Sequence, residues 1–234
     1  MMPTAQGLYD PKNEHDACGV GFVAHIKNTK SHDIVARGLR ILCNLEHRGA
    51  VGADPLAGDG AGILIQIPDG LFRAEAGTLG FTLPAPGDYA VGMMFLPQDA
   101  GARRVCEKTL EHFARAEGQS VLGWRDVPVQ PSALGESIKP NAPVIRQIFI
   151  GRGDNAPDMD AFERKLFVIR KQTHTQVRTE HVDQSGTFYI ASLSTRTVIY
   201  KGMVIAARLA AFYDDLRDER LESAIALVDR RAHV

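Results

Sequence analysis

Several things are scarce in this chain of 234 residues, and each scarcity excludes something. No apolar run approaches the roughly 20 residues of a helical membrane span. Basic residues never gather into a block: 27 Lys and Arg face 28 Asp and Glu, for a formal net charge of −1. The usual electrostatic grounds for binding nucleic acid or an anionic membrane are therefore missing. Cysteines number three, Cys18, Cys43 and Cys106, far apart and odd in count. They form neither a disulfide framework nor a zinc pattern, and the eight histidines show no metal-ligand spacing with them. A reducing, cytoplasmic setting is the default expectation. The first 17 residues lack the basic start and apolar core of a secretion signal. There is no internal repeat, low-complexity tract or interdomain linker. Gly58, Gly60 and Gly62 do not make a phosphate cradle, because they precede a strand pattern, whereas phosphate loops follow a strand and open a helix.

What remains is the composition of an ordinary soluble globular protein, 44% hydrophobic and 24% charged. The length suits one large domain or two small ones. Strand patterns cover Gly19–Ile26, Ile63–Pro68, Tyr89–Leu96, Ser120–Arg125, Val144–Ile150, Phe188–Ser194 and Thr197–Tyr200. Helical periodicity predicts helices from Ser31, as N-cap, to Gly49, from about Asp99 to Glu117, and from Met159 to about Thr179. Met203–Phe212 and Glu219–Arg230 also read as helical. Mixed strands and helices imply helix layers packed on sheet. Pattern alone leaves a doubly wound parallel sheet and a helix-covered antiparallel one both open.

The chemistry-bearing candidate is Cys18, at the mouth of the first strand with Gly19 and Gly21 around Val20. A thiol there suits a nucleophile. It suits burial equally, free cysteine being among the most buried residue types. A second stretch, Glu46-His47-Arg48-Gly49-Ala50 followed by Gly58-Asp59-Gly60-Ala61-Gly62, is too glycine-rich and specific for a plain linker.

These residues carry a family resemblance. Cys18-Gly19-Val20-Gly21-Phe22-Val23-Ala24 resembles the start of a class II glutamine amidotransferase domain, of the N-terminal-nucleophile hydrolase fold. Leu45–Ala50 with Gly58–Leu64 is similar to the second block of that domain in the glutamate synthase large subunit. Ser192-Leu193-Ser194-Thr195-Arg196-Thr197-Val198-Ile199-Tyr200-Lys201-Gly202-Met203 resembles a third block, continued by Phe212-Tyr213, Leu216 and Ala224–Val228. The resemblance runs in one register from about Asp10 to Val228.

The resemblance implies an α+β fold, a four-layer αββα sandwich with helices outside two antiparallel sheets, C-terminally incomplete. It implies a propeptide of residues 1–17, removed at the Ala17–Cys18 bond, ahead of a partial amidotransferase domain over 18–234. Cys18 would be the catalytic nucleophile, with its own freed α-amine as base. Arg231 and Arg48 would bind substrate glutamine, Arg231 through the α-carboxylate; a loop-anchoring salt bridge is an equal alternative for Arg48. Ammonia would pass to a 2-oxoglutarate site in later domains, which use flavin mononucleotide and an iron–sulfur cluster, alongside a small subunit. No cofactor or metal is expected in this chain itself.

Asp59 reads as a former of turn hydrogen bonds, His25 and His47 as structural, and Tyr200-Lys201-Gly202 as fold or interdomain contact. The family's oxyanion-hole Asn-Gly pair does not follow Val228; the asparagines are Asn13, Asn28, Asn44, Asn141 and Asn155. Two alternatives to an active glutaminase follow: an inactive truncated remnant, and an unrelated thiol hydrolase pairing Cys18 with a histidine. An apolar face or sheet edge left open near the C-terminus is also expected.

Overall fold

The computed structural model describes residues 19–46, 54, 56–180 and 185–230. Two four-stranded antiparallel sheets carry the fold. The first runs in the order β1 (Val20–Ala24), β8 (Ile225–Asp229), β2 (Ala61–Gln66), β7 (Thr197–Gly202). The second runs β4 (Ser120–Asp126), β5 (Val144–Gly151), β3 (Tyr89–Leu96), β6 (Tyr189–Ser194). The sheets are joined where β6 turns into β7 through Thr195-Arg196. Both are antiparallel throughout, so the doubly wound alternative is excluded and the α+β sandwich class is the one observed.

The second sheet shows why its sequence was easy to read. β3 is buried along its whole length because it has a core on each side. Ala90, Met94, Ile148 and Ile150 pack beneath helices α3 (Ala100–Ala116) and α4 (Met159–Thr179), against Cys106, Leu110, Phe162, Leu166 and Ile169. Both helices start on aspartate caps: Asp99 accepts from Ala102 N at 2.8 Å and Asp158 from Ala161 N at 2.7 Å. Val91, Met93, Phe95 and Phe149 face the other way, into the main core shared with Ile63, Val198 and Tyr200 of the first sheet.

Helix α1 (His32–Asn44) packs on β1, β8 and β2. Two glycines permit the approach. A Cβ on Gly38 would lie 2.6 Å from Ala226 Cβ, and one on Gly21 would lie 2.5 Å from Ile41 Cγ2. Directly paired residues of antiparallel strands share a face, so Gly21, Val228, Ile63 and Tyr200 form one row across the sheet. The opposite face of β1 and β8 is open: Phe22 is 69% exposed, with Val20 and Leu227 beside it.

Four local expectations are corrected. Residues Glu219–Arg230 are not helical; their second half is β8, the strand between β1 and β2. The helical reading of Met203–Phe212 reduces to a 3₁₀ turn at Ala206–Arg208 and one short turn, α5 (Leu209–Phe212). Helix α1 ends at Asn44 rather than Gly49, and Ser31 is extended with no side-chain capping bond; it pairs instead with Ser223 through the backbone. Helix α2 (Asp69–Thr78) was not expected at all. Its Leu71, Phe72 and Ala76 fill the main core, Phe72 meeting Phe149 edge-on at 5.5 Å.

Candidate active site

Cys18, Arg48 and Arg231 all lie outside the described residues, as do residues 1–17 and His47. The structure describes the residues that neighbour them in the chain. Val20 pairs with Asp229, Asp229 with Gly62, and Gly62 with Lys201. The start of β1, the end of β8, the start of β2 and the end of β7 therefore form one rim of the first sheet. Gly19, the residue after Cys18 in the chain, is pinned to this rim: its carbonyl accepts from Arg230 N at 2.8 Å.

The glycine-rich block is held to the same rim. Gly60 has φ of 120°, a conformation open to glycine and strained for other residues. Gly58 lies so close to the Val204–Ile205 peptide that a Cβ would come 2.9 Å from Val204 O. Asp59 does more than form a turn: its Oδ1 accepts from Arg230 Nη1 at 2.7 Å. The same Nη1 donates to Gly60 O, also at 2.7 Å. Arg230 is 0% exposed.

On the far side of the 47–53 segment, Asp54 accepts from Ser137 N at 3.0 Å, from Ser137 Oγ at 2.7 Å and from Leu56 N at 3.1 Å. The backbone and hydroxyl bonds from Ser137 hold its carboxyl below the usual carboxylate range. These bonds anchor Asp54 to Ser137.

At the β7 end of the rim, Lys201 is buried with Nζ 4.4 Å above the Tyr189 ring and 3.3 Å from its hydroxyl. Its carbonyl accepts from the Tyr213 hydroxyl at 2.7 Å. A cavity of about 390 Å³ opens beside it, lined by Phe95, Leu134, Ile138, Tyr189 and Phe212 among others.

Behind the rim lies a buried polar cluster that sequence reasoning missed. Arg125 donates twice to Asp215, at 2.8 Å each, and once to Gln147 Oε1 at 2.9 Å. The Tyr200 hydroxyl donates to Asp215 Oδ2 at 2.9 Å. Burial, then the Asp215 charge, pushes the Tyr200 phenol well above its ordinary value, so it stays a neutral donor. Burial opposes the Arg125 charge, but the Asp215 pairing outweighs it. Tyr200 therefore serves the fold, linking the two sheets. The only warning in the sequence was a charged Arg125 inside a strand pattern.

The two described cysteines make poor nucleophiles. Cys106 lies on the buried face of α3, and burial pushes its thiol up to about 11. Cys43 is raised by partial burial and by Glu46. His25 accepts from Thr29 N at 3.2 Å in a turn. Among the described residues, no group of three or more His, Cys, Asp or Glu is placed to hold a metal. No helix among them is long and apolar enough to cross a membrane.

The frame matches known proteins over nearly its whole length. The family described as Glutamine amidotransferases class-II matches residues 18–233. The glutamate synthase [NADPH] large chain of Bacillus subtilis is 49% identical over 231 residues, 99% of this chain and 15% of the relative. The glutamate synthase [NADPH] large chain of Azospirillum brasilense is 39% identical over 97% of this chain and 15% of its own length. The chloroplastic ferredoxin-dependent glutamate synthase 2 of Arabidopsis thaliana is 37% identical over 99% of this chain and 14% of its own. This chain thus spans about 15% of the first two relatives it matches. With an antiparallel α+β sandwich, a first strand pinned at Gly19 and a family match beginning at residue 18, the chain belongs to the class-II glutamine amidotransferases.

Proposed function

We propose that this chain is the glutaminase part of a glutamate synthase and that Cys18 is its nucleophile. Cleavage of the Ala17–Cys18 bond would free the α-amine of Cys18. An α-amine has a pKa of about 7.7–8.0, so part of it is neutral near pH 7 and can take the thiol proton. The thiolate then attacks the side-chain carboxamide carbon of glutamine. The C–N bond breaks, ammonia leaves with the proton returned to it, and a glutamyl thioester remains. Water attacks that carbonyl, releasing glutamate and restoring the thiol. Arg231 takes the glutamine α-carboxylate, and Arg48 lies on the second substrate-binding segment.

Ammonia is then used at a 2-oxoglutarate site elsewhere in a longer polypeptide, where flavin mononucleotide and an iron–sulfur cluster would supply electrons and a small subunit would assist. The proposed setting is the cytoplasm. The observation that carries this reading is the 49% identity to a glutamate synthase large chain across 99% of the chain, with the family match starting at Cys18 itself. Incubation of the chain with glutamine tests it. Glutamate and ammonia should form in equal amounts, and Cys18→Ala should abolish both. Turnover that survives Cys18→Ala would reject the nucleophile, and no turnover by the wild type would reject the glutaminase reading.

A further inference from the structure

Arg230 is the most unusual side chain described. Its guanidinium has no exposed surface, yet among the described residues only Nη1 is bonded, to Asp59 Oδ1 and Gly60 O at 2.7 Å each. Among the described residues, Nε and Nη2 are buried with no hydrogen-bond partner. Buried donors are almost always satisfied, and those of a charged group are the costliest to leave open. A hydrophobic residue would fill this position more cheaply, so the charge has a use there.

The geometry shows what the side chain joins. The backbone of Arg230 holds Gly19 O at 2.8 Å. Its side chain crosses to Asp59 and Gly60, at the end of the glycine-rich loop. That loop is wedged on its other side against the Val204–Ile205 peptide. One residue thus fixes the loop relative to the first described residue of the nucleophile's strand. The guanidinium bonds to the loop and the backbone N–H bonds to Gly19, so the side chain sets where the loop lies while the backbone sets where Gly19 lies.

We infer that Arg230 is a positioning residue for glutamine binding: by clamping Asp59 and Gly60 it fixes the glycine-rich loop relative to Gly19, the residue that follows Cys18 in the chain. This rests on the glutaminase reading. Arg230 acts through the loop and is not assigned any contact with the reacting atoms.

The test is alkylation of Cys18 by iodoacetamide in the 234-residue chain, followed by peptide mass mapping, with glutamine as protecting ligand. The rate without glutamine reports the thiol and serves as the internal reference. In Arg230→Met, the glutamine concentration that halves the rate should rise about tenfold to hundredfold, as expected for a misplaced substrate contact. Arg230→Lys, which keeps a charge able to reach Asp59, should recover part of that loss. A merely structural role would lower the melting temperature and leave the half-protecting concentration of the folded molecules unmoved. Should Arg230→Met fail to fold, Asp59→Asn, which loosens the same clamp from the loop side, should show the same rise. Protection at wild-type concentrations in whichever variant folds would overturn the inference while leaving the glutaminase reading intact. A wild-type chain that glutamine never protects would overturn both.

Discussion

Arg125 and Asp215, 90 residues apart in the chain, are locked together by two hydrogen bonds of 2.8 Å inside the core. Both side chains are nearly sealed from solvent, at 5% and 3% exposure. Gln147 and Tyr200 bond to the same pair, so all four residues depend on one carboxylate. Asp215→Ala would leave a buried guanidinium without its counter-charge. The expected loss is about 3–5 kcal/mol of unfolding free energy, read from chemical denaturation. A loss well under 1 kcal/mol would mean that water reaches the pair. Replacing Arg125 and Asp215 together by apolar residues should cost less than the single change.

Helix α1 comes close to the first sheet where position 38 has no side chain. With Ala226 Cβ 2.6 Å from where a Cβ would sit, the obstructing atom cannot swing away. Gly38→Val should cost about 1–3 kcal/mol through overpacking. The same change at Gly70, which has nothing within 4 Å, should lack that packing penalty. Equal losses at the two positions would contradict the close contact.

His174 makes stability depend on pH. Burial, then Arg170, Lys171 and Arg178 on its own helix, hold its pKa below the ordinary 6.5. Phe188 and Tyr189 close the ring in from the β6 side, and Ile190 N donates to Nε2 at 3.4 Å, a bond only the neutral ring can accept. The unfolded chain therefore takes up this proton at higher pH than the folded one. The stabilisation is complete above pH 6.5 and is lost as the pH falls through the folded-state value. His174→Gln should flatten this part of a stability-against-pH curve. A curve unchanged by the substitution would place the acid sensitivity elsewhere.

The open face of the first sheet should govern association. Phe22, Val20 and Leu227 lie together and exposed on it. Phe22→Thr should shift unfolding free energy by no more than about 0.5 kcal/mol while reducing binding of a hydrophobic dye and self-association in sedimentation. A large loss of stability would show that the face is covered in solution.

Much of the fold was legible where period and punctuation agreed. β3 is the predicted Tyr89–Leu96 strand, and α3 and α4 begin directly after the Asp99 and Asp158 caps. β8 was misread because Ala224-Ile225-Ala226-Leu227-Val228 is rich in helix formers. Its strand form is imposed by β1 and β2, whose facing edges it pairs with on both sides. Helix α2 was hidden by Pro68, Gly70 and Gly77, and is held by Leu71 and Phe72 against the core rather than by propensity. In the site, Asp59 was read as a turn former because its partner lies 171 residues away. Arg230 was not singled out, since its inward position depends on the register of β8, and that register was invisible while β8 was taken for a helix.

The central claim is that Cys18, among three cysteines, is the one built to attack glutamine. Treatment of the chain with a diazoketone analogue of glutamine, followed by peptide mass mapping, tests it most directly. A single adduct on Cys18 is expected, prevented by excess glutamine, with Cys43 and the buried, high-pKa Cys106 unmodified. An adduct on Cys43 or Cys106 instead, or labelling of Cys18 that glutamine does not slow, would contradict it.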